Sequence, residues 1–171
     1  MENNKFFKDF KENLCYRIDE STRMVEKSLQ EISFEELWRK PNNNLNSIGN
    51  LLLHLCGNMT QYAIASLGNL PDTRNRDEEF LTEGEFSKQE LLLKLKNTVE
   101  KVKETLLTTT YEEFLRERNV QGFTLSGIGI IIHVVEHYSY HTGQIAFWVK
   151  LIKNKDLGFY DDFDLNTKNE S

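Results

Sequence analysis

Three of the chain's four histidines, His133, His137 and His141, stand four residues apart in the segment "HVVEHYSYHTGQIAFW". Imidazoles repeated in an apolar, aromatic stretch point to metal binding or proton handling. A four-residue step along a helix advances about 400° and rises about 6 Å, so the three lean along one face. Neighbours in such a row can clasp one ion. His133 and His141, about 12 Å apart along the axis, cannot share it. The last helix therefore supplies two ligands and needs a third from elsewhere. Only His54, within "LLLHLCGN", is left to provide it. Taken alone, His133 reads as a core histidine satisfied by hydrogen bonds, or as a group supporting the ligands.

His54 belongs to a polar stripe on an apolar helix: Asn50, His54, Asn58 and Gln61 follow i, i+4, i+8 and i+11 spacing. His137, His141 and Gln144 form a second stripe at i, i+4 and i+7. Each stripe is costly to bury alone, whereas facing stripes satisfy each other or an ion. The expected ligand set is His54, His137 and His141. Such a set leaves one coordination position for water or substrate. Imidazole donors permit Zn, Ni, Co, Fe or Mn, with Zn or Ni the first expectation. Asn58 and Gln144 are placed to orient ligands or hold a cofactor or substrate. Tyr138 and Tyr140 read first as packing residues, though either hydroxyl can serve as a donor. With Gln144 they are the catalytic candidates. Ferritin-type di-iron chemistry needs a Glu three residues before a metal-binding His. Those positions are Leu51, Val134 and Tyr138, so that chemistry is excluded.

The elements that must position these residues are helical. The two prolines, Pro41 and Pro71, fall where apolar periodicity has lapsed. Helix one is predicted over about residues 3–30, with Phe6, Phe10, Leu14, Ile18, Met24 and Leu29 near helical spacing. Ser47 caps a second helix that runs to Gly68. The polar connection "NLPDTRNRDEEFLTEGEF" reads as a solvated loop or flap. Its sharper reading sets Arg74 or Arg76 against an anionic substrate group. Ser87 with Glu90 opens helix three with a capping box, and Thr110 with Glu113 repeats the spacing before a short helix, "YEEFLRER". "NVQGFTLS" reads as an irregular link. Ser126 caps the last helix, about residues 127–153, which is apolar over most of its circumference and expected to be the most buried. The tail, 154–171, is expected to pack Phe159 and Tyr160. Four long helices make an all-α four-helix bundle, a single domain over 1–171 with its core in about 3–153.

Composition narrows the function. A chain of 171 residues buries a core without a staple, so a bound metal is functional rather than structural. With a net charge of −6 and both signs spread along the chain, no basic face marks a nucleic-acid partner or an anionic membrane surface. "MENNKFFKDFKENL" lacks the apolar run of a signal peptide, so a cytoplasmic protein is expected. Cys15 and Cys56, without CxxC spacing, read as buried thiols.

The order and separation of "NSIGNLLLHL" and "HVVEHYSYHTGQI" resemble the DinB-like superfamily, the group containing the bacillithiol S-transferases and mycothiol-dependent isomerases. The resemblance spans essentially the whole chain. It implies an up-down-down-up bundle, commonly a homodimer, holding a divalent ion through the positions occupied here by His54, His137 and His141. Characterised members transfer a low-molecular-weight thiol to electrophiles or use one in isomerisation. Two classes of function follow. One is an enzyme that activates a thiol or a water against a small electrophilic substrate. The other is a non-enzymatic, stress-associated bundle that binds a metal or small ligand. An open coordination position favours the first and a closed one the second.

Overall fold

The computed structural model describes residues 2–169, with side chains from residue 5 onward. Helix α1, Glu2–Gln30, buries Leu14, Ile18, Val25 and Leu29 at helical spacing, whereas Phe6, at the start of the predicted stripe, is exposed. A short helix α2, Phe34–Trp38, follows in a stretch whose sequence shows no periodicity. Ser33 and Glu36 form its capping box.

Helix α3, Ile48–Met59, starts at Ser47, whose hydroxyl accepts from the Asn50 N–H. It continues as a π-helical segment, Thr60–Leu67. The wider winding shows at its end, where Gly68 N–H donates to Ala63 O at 2.9 Å and Leu70 N–H to Ala65 O at 2.8 Å. The connection that follows carries helix α4, Arg76–Leu81. Helix α5, Lys88–Thr108, begins at the Ser87–Glu90 capping box, and α6, Tyr111–Leu115, at Thr110.

"NVQGFTLS" is not irregular. Strands β1, Glu117–Val120, and β2, Phe123–Ser126, pair antiparallel around Gln121 and Gly122, both with positive φ (53° and 85°). Two left-handed residues make the tight hairpin turn whose twist matches paired strands. A glutamine at the first of them hides the signal, because Asn or Asp usually stands there. Helix α7, Gly127–Lys153, then leaves from Ser126.

The four long helices pack in a ring, α1 against α5 and α7, and α3 against α5 and α7. Cross-links between them fix the directions. Lys11 donates to Thr109 O at 2.6 Å and Lys96 to Glu26 at 2.7 Å, so α1 and α5 run antiparallel. Tyr138 meets Thr22 at 2.9 Å and Lys27 donates to Gly158 O, so α1 and α7 run parallel. Asn58 meets His133 and His54 meets His137, so α3 opposes α7. The topology is up-down-down-up.

Burial corrects one expectation. Ten of the twelve residues of α3 are buried, against nine of the twenty-seven in α7. The last helix is not the most buried. Its apolar circumference lies partly outside the core, with Ile132, Tyr140, Phe147 and Leu151 exposed. Cys56 is buried, its thiol pushed up to about 11 by burial, and Cys15 is half-buried; both are free. Phe159 packs on the core, whereas Tyr160 is largely exposed. No helix among the described residues is long and apolar enough to cross a membrane.

Candidate metal centre

Antiparallel packing of α3 on α7 brings the two polar stripes together. Among the described residues, His54, His137 and His141 form a group in which one donor atom from each lies within 4.8 Å of the others. The atoms that meet are all Nε2, with His54 3.2 Å from His137 and His141 3.2 Å from His137.

The outer ring nitrogens decide what these inner ones carry. His54 Nδ1 lies 2.9 Å from Glu79 Oε2, and a carboxylate only accepts, so Nδ1 holds a proton and, in the neutral ring, Nε2 is a bare lone pair. His141 Nδ1 lies 2.6 Å from Gln144 Oε1, with the same consequence. His137 has at most one N–H to offer at Nε2 and faces two bare nitrogens. A cation between them satisfies all three lone pairs at once. His137 Nδ1 is buried without a partner. The donor set fits a divalent ion.

Protonation agrees. Burial, reinforced by His141 and His54, pushes His137 down to about 3. Burial also lowers His141 and His133. Near neutral pH these rings are neutral, the form that binds metal.

The α3 stripe divides its work. Its middle pair faces α7: His54 meets His137, and the buried Asn58 amide lies 3.2 Å from His133 Nε2. Its ends hold the α4 connection. Asn50 Nδ2 donates to Glu79 O at 3.0 Å and Thr82 O at 2.8 Å, and Gln61 bonds Asp72 and Arg74. His133 stays outside the triad, stacked on Tyr62 at 4.2 Å between ring centroids. Tyr138 is almost fully buried and directs its hydroxyl to Thr22 on α1, so it packs α7 against α1 and takes no place beside the triad. Tyr140 is exposed, its ring against His141, and its hydroxyl accepts from Gln144 Nε2 at 3.0 Å.

The connection holds what sequence reading missed. Arg74 does not wait at the surface for an anionic substrate group; it turns inward. Its Nε and Nη2 donate to the two oxygens of Glu79 at 2.7 and 2.8 Å, and both side chains are buried. Arg74 Nη2 also lies 3.1 Å from His54 Nδ1. Both atoms are donors, so this is not a bond between them; the Glu79 carboxylate serves each. Burial raises the Glu79 pKa, but hydrogen bonds from Arg74 and His54 outweigh it and hold the carboxyl below its usual range. Phe80 packs its ring 5.0 Å from that of His54, under the Arg76 guanidinium at 4.9 Å. No spacing rule links Glu79 to a histidine 25 residues earlier. The acidic run "RDEEF" looks like any solvated helix face. A cavity of about 540 Å³ opens behind α4, lined by Leu53, Cys56, Gly57, Arg74, Glu79 and Lys94 among others. It borders the Arg74–Glu79 pair and reaches none of the three histidines.

A family described as "Protein of unknown function (DUF1572)" matches residues 4–160. The chain belongs to this family. Two solved structures share the fold of this DUF1572 protein. A DinB-like protein of Bacillus subtilis, YjoA, superposes with a TM-score of 0.66 at 20% identity, over 86% of this chain and 96% of that one. A protein of Enterococcus faecalis, titled a conserved protein of locus, gives a TM-score of 0.72 at 16% identity, over 84% of this chain and 97% of the other. No curated protein matches the sequence. The DinB-like bundle, anticipated from two motifs, is thus the fold of this DUF1572 chain.

Proposed function

We propose that the protein is a metal-dependent enzyme in which His54, His137 and His141 hold one divalent ion, Zn or Ni, for the activation of a low-molecular-weight thiol or a water against a small electrophile. The observation that carries the reading is the meeting of three Nε2 atoms, two of them stripped of protons by fixed partners on Nδ1. A divalent ion there supplies the positive charge that turns a thiol or water into a nucleophile at neutral pH.

The chain's own residues complete the site. His54 and His141 are held in one tautomer by Glu79 and Gln144. Phe80 shields the His54 side from water, and Tyr140 and Gln144 stand on the exposed side, where a substrate enters. The Tyr140 hydroxyl and the Gln144 amide are the groups positioned to orient it, and Asn58 lines the floor beside His133. With three protein donors, a four-coordinate ion would keep one position for water or substrate, which favours an enzyme over a bundle that merely stores an ion. The composition suits a cytoplasmic protein. The exposed apolar side chains of α7 support a homodimer, a reading that a monomeric mass by light scattering overturns.

The test is elemental analysis of untagged protein and of His137→Ala, followed by cobalt loading and titration with a small thiol. About one ion per chain, lost in the variant, and a thiolate-to-cobalt charge-transfer band are the expected results. A parent chain that retains no ion after anaerobic metal addition overturns the proposal.

A further inference from the structure

Glu79 is tied on three sides. Arg74 Nε donates to its Oε1, and Arg74 Nη2 and His54 Nδ1 donate to its Oε2. Arg74 is itself fixed by Nη1 donating to Gln61 Oε1 at 2.9 Å. The carboxylate can lie this close to α3 because position 57 has no side chain. A Cβ at Gly57 would fall on Glu79 Oε1, 2.7 Å from its Cδ and 3.0 Å from Arg74 Nε.

We propose that Glu79 is a positioning residue for the metal ligand His54: pinned by Arg74 and admitted by Gly57, its carboxylate fixes the proton on Nδ1 and so presents Nε2 as a lone pair. The inference rests on the metal reading given above. It goes further by assigning the orientation of one ligand to a charged pair on the α4 connection. A ligand histidine whose outer N–H is held by a carboxylate is fixed in tautomer and ring angle, and it becomes a stronger donor.

Arg74 makes the arrangement specific. Both Glu79 oxygens face donors, so a glutamine at 79 cannot serve all of them. Turned so that its oxygen meets Arg74 Nη2 and His54, its amide NH₂ clashes with Arg74 Nε. Turned the other way, the NH₂ opposes Arg74 Nη2 instead and faces His54 Nδ1, which then can only accept, with the ring proton on Nε2, the atom the ion needs. With Arg74 removed as well, the amide is free to turn its oxygen back to Nδ1. Glu79→Gln is therefore damaging on its own and milder combined with Arg74→Met. A carboxylate that only anchored α4 gives no such rescue.

The experiment measures the His54 ring tautomer by ¹⁵N–¹H correlation in metal-free protein, and the zinc dissociation constant by chelator competition. Parent, Glu79→Gln, Arg74→Met/Glu79→Gln and Gly57→Ala are compared, with circular dichroism reporting the fold. Expected are the Nδ1–H tautomer in the parent and, in Glu79→Gln, a reduced share of that tautomer with roughly 10- to 100-fold weaker zinc binding. The double variant recovers the parent tautomer and much of the affinity, and Gly57→Ala weakens binding in the same direction. An Nε2–H tautomer in the parent overturns the proposal by itself, even where a variant fails to fold. So does a folded Glu79→Gln that keeps the parent's tautomer and affinity. If the parent binds no zinc while the tautomer shifts as described, the metal reading falls, and Glu79 is left fixing the His54 tautomer without a ligand role.

Discussion

Two helices reach the same centre by different means. Helix α7 provides His137 and His141, whose separation is set by one helical turn. Their outer nitrogens are lightly held: His141 meets the exposed Gln144, and His137 has no partner. Helix α3 provides His54 alone, from a stretch almost wholly buried, and the α4 connection surrounds it with Glu79, Arg74 and Phe80. Ligands on one helix inherit their mutual position from the backbone. A ligand arriving from a second helix has only tertiary structure to aim it. The stronger clamp stands where the local geometry gives least help.

The sharpest break of this contrast is removal of a ligand from either side. His54→Ala and His137→Ala are each expected to reduce bound metal from about one ion per chain to near none by elemental analysis. Next in size is Arg74→Met, which leaves a buried carboxylate unpaired. Breaking a buried pair in this way costs about 3 kcal/mol or more, and a fall in Tm of roughly 10 °C is expected in a calorimetric scan. The corresponding change on the α7 side, Gln144→Ala, touches an exposed group. It is expected to leave Tm within about 1 °C and to weaken metal binding less than Glu79→Gln does.

Acid acts on the α7 side through His137. Folded metal-free protein keeps His137 neutral down to about 3, while in the unfolded chain the ring titrates near 6.5. The unfolded state binds the proton first as pH falls. Stability is therefore undiminished above about pH 6.5 and declines between there and pH 3, by at most about 1.4 kcal/mol per pH unit for this group. Denaturant melts of chelator-treated protein are expected to show that slope, and His137→Phe to flatten it. The smallest effect on metal binding belongs to the side of α7 that faces α1. Tyr138→Phe loses only the bond to Thr22, about 1 kcal/mol, and leaves metal affinity unchanged.

Much of this was legible in the residues. Capping boxes at Ser47 and Ser87 and the cap at Ser126 mark helix starts because each is a local hydrogen-bond pattern. The triad shows because four-residue spacing is itself geometry. What sequence hides is whatever depends on a distant partner. Glu79 looks like one acid in a polar run until α4 folds onto α3. Gln61 continues the α3 stripe on paper, yet the π-helical winding begins at Thr60 and it serves the connection instead. Sequence overstates the burial of α7 because apolar composition says which surfaces dislike water, not which are covered. The hairpin escaped because a glutamine occupies a left-handed turn position.

The π-helical stretch Thr60–Leu67 also bears on how the chain can change in length. Such a stretch takes up one residue more than an α-helix of the same rise, as if an insertion had been absorbed without being expelled into a loop. Deleting one residue there lets the segment relax to ordinary winding. The hydrogen-bonded turns carrying His54 and Asn58 lie before it and keep their register, and Gly68 and the connection beyond keep their place. The molecule thus holds a length buffer between the half of α3 that faces the histidines and the half that hands the chain on to α4.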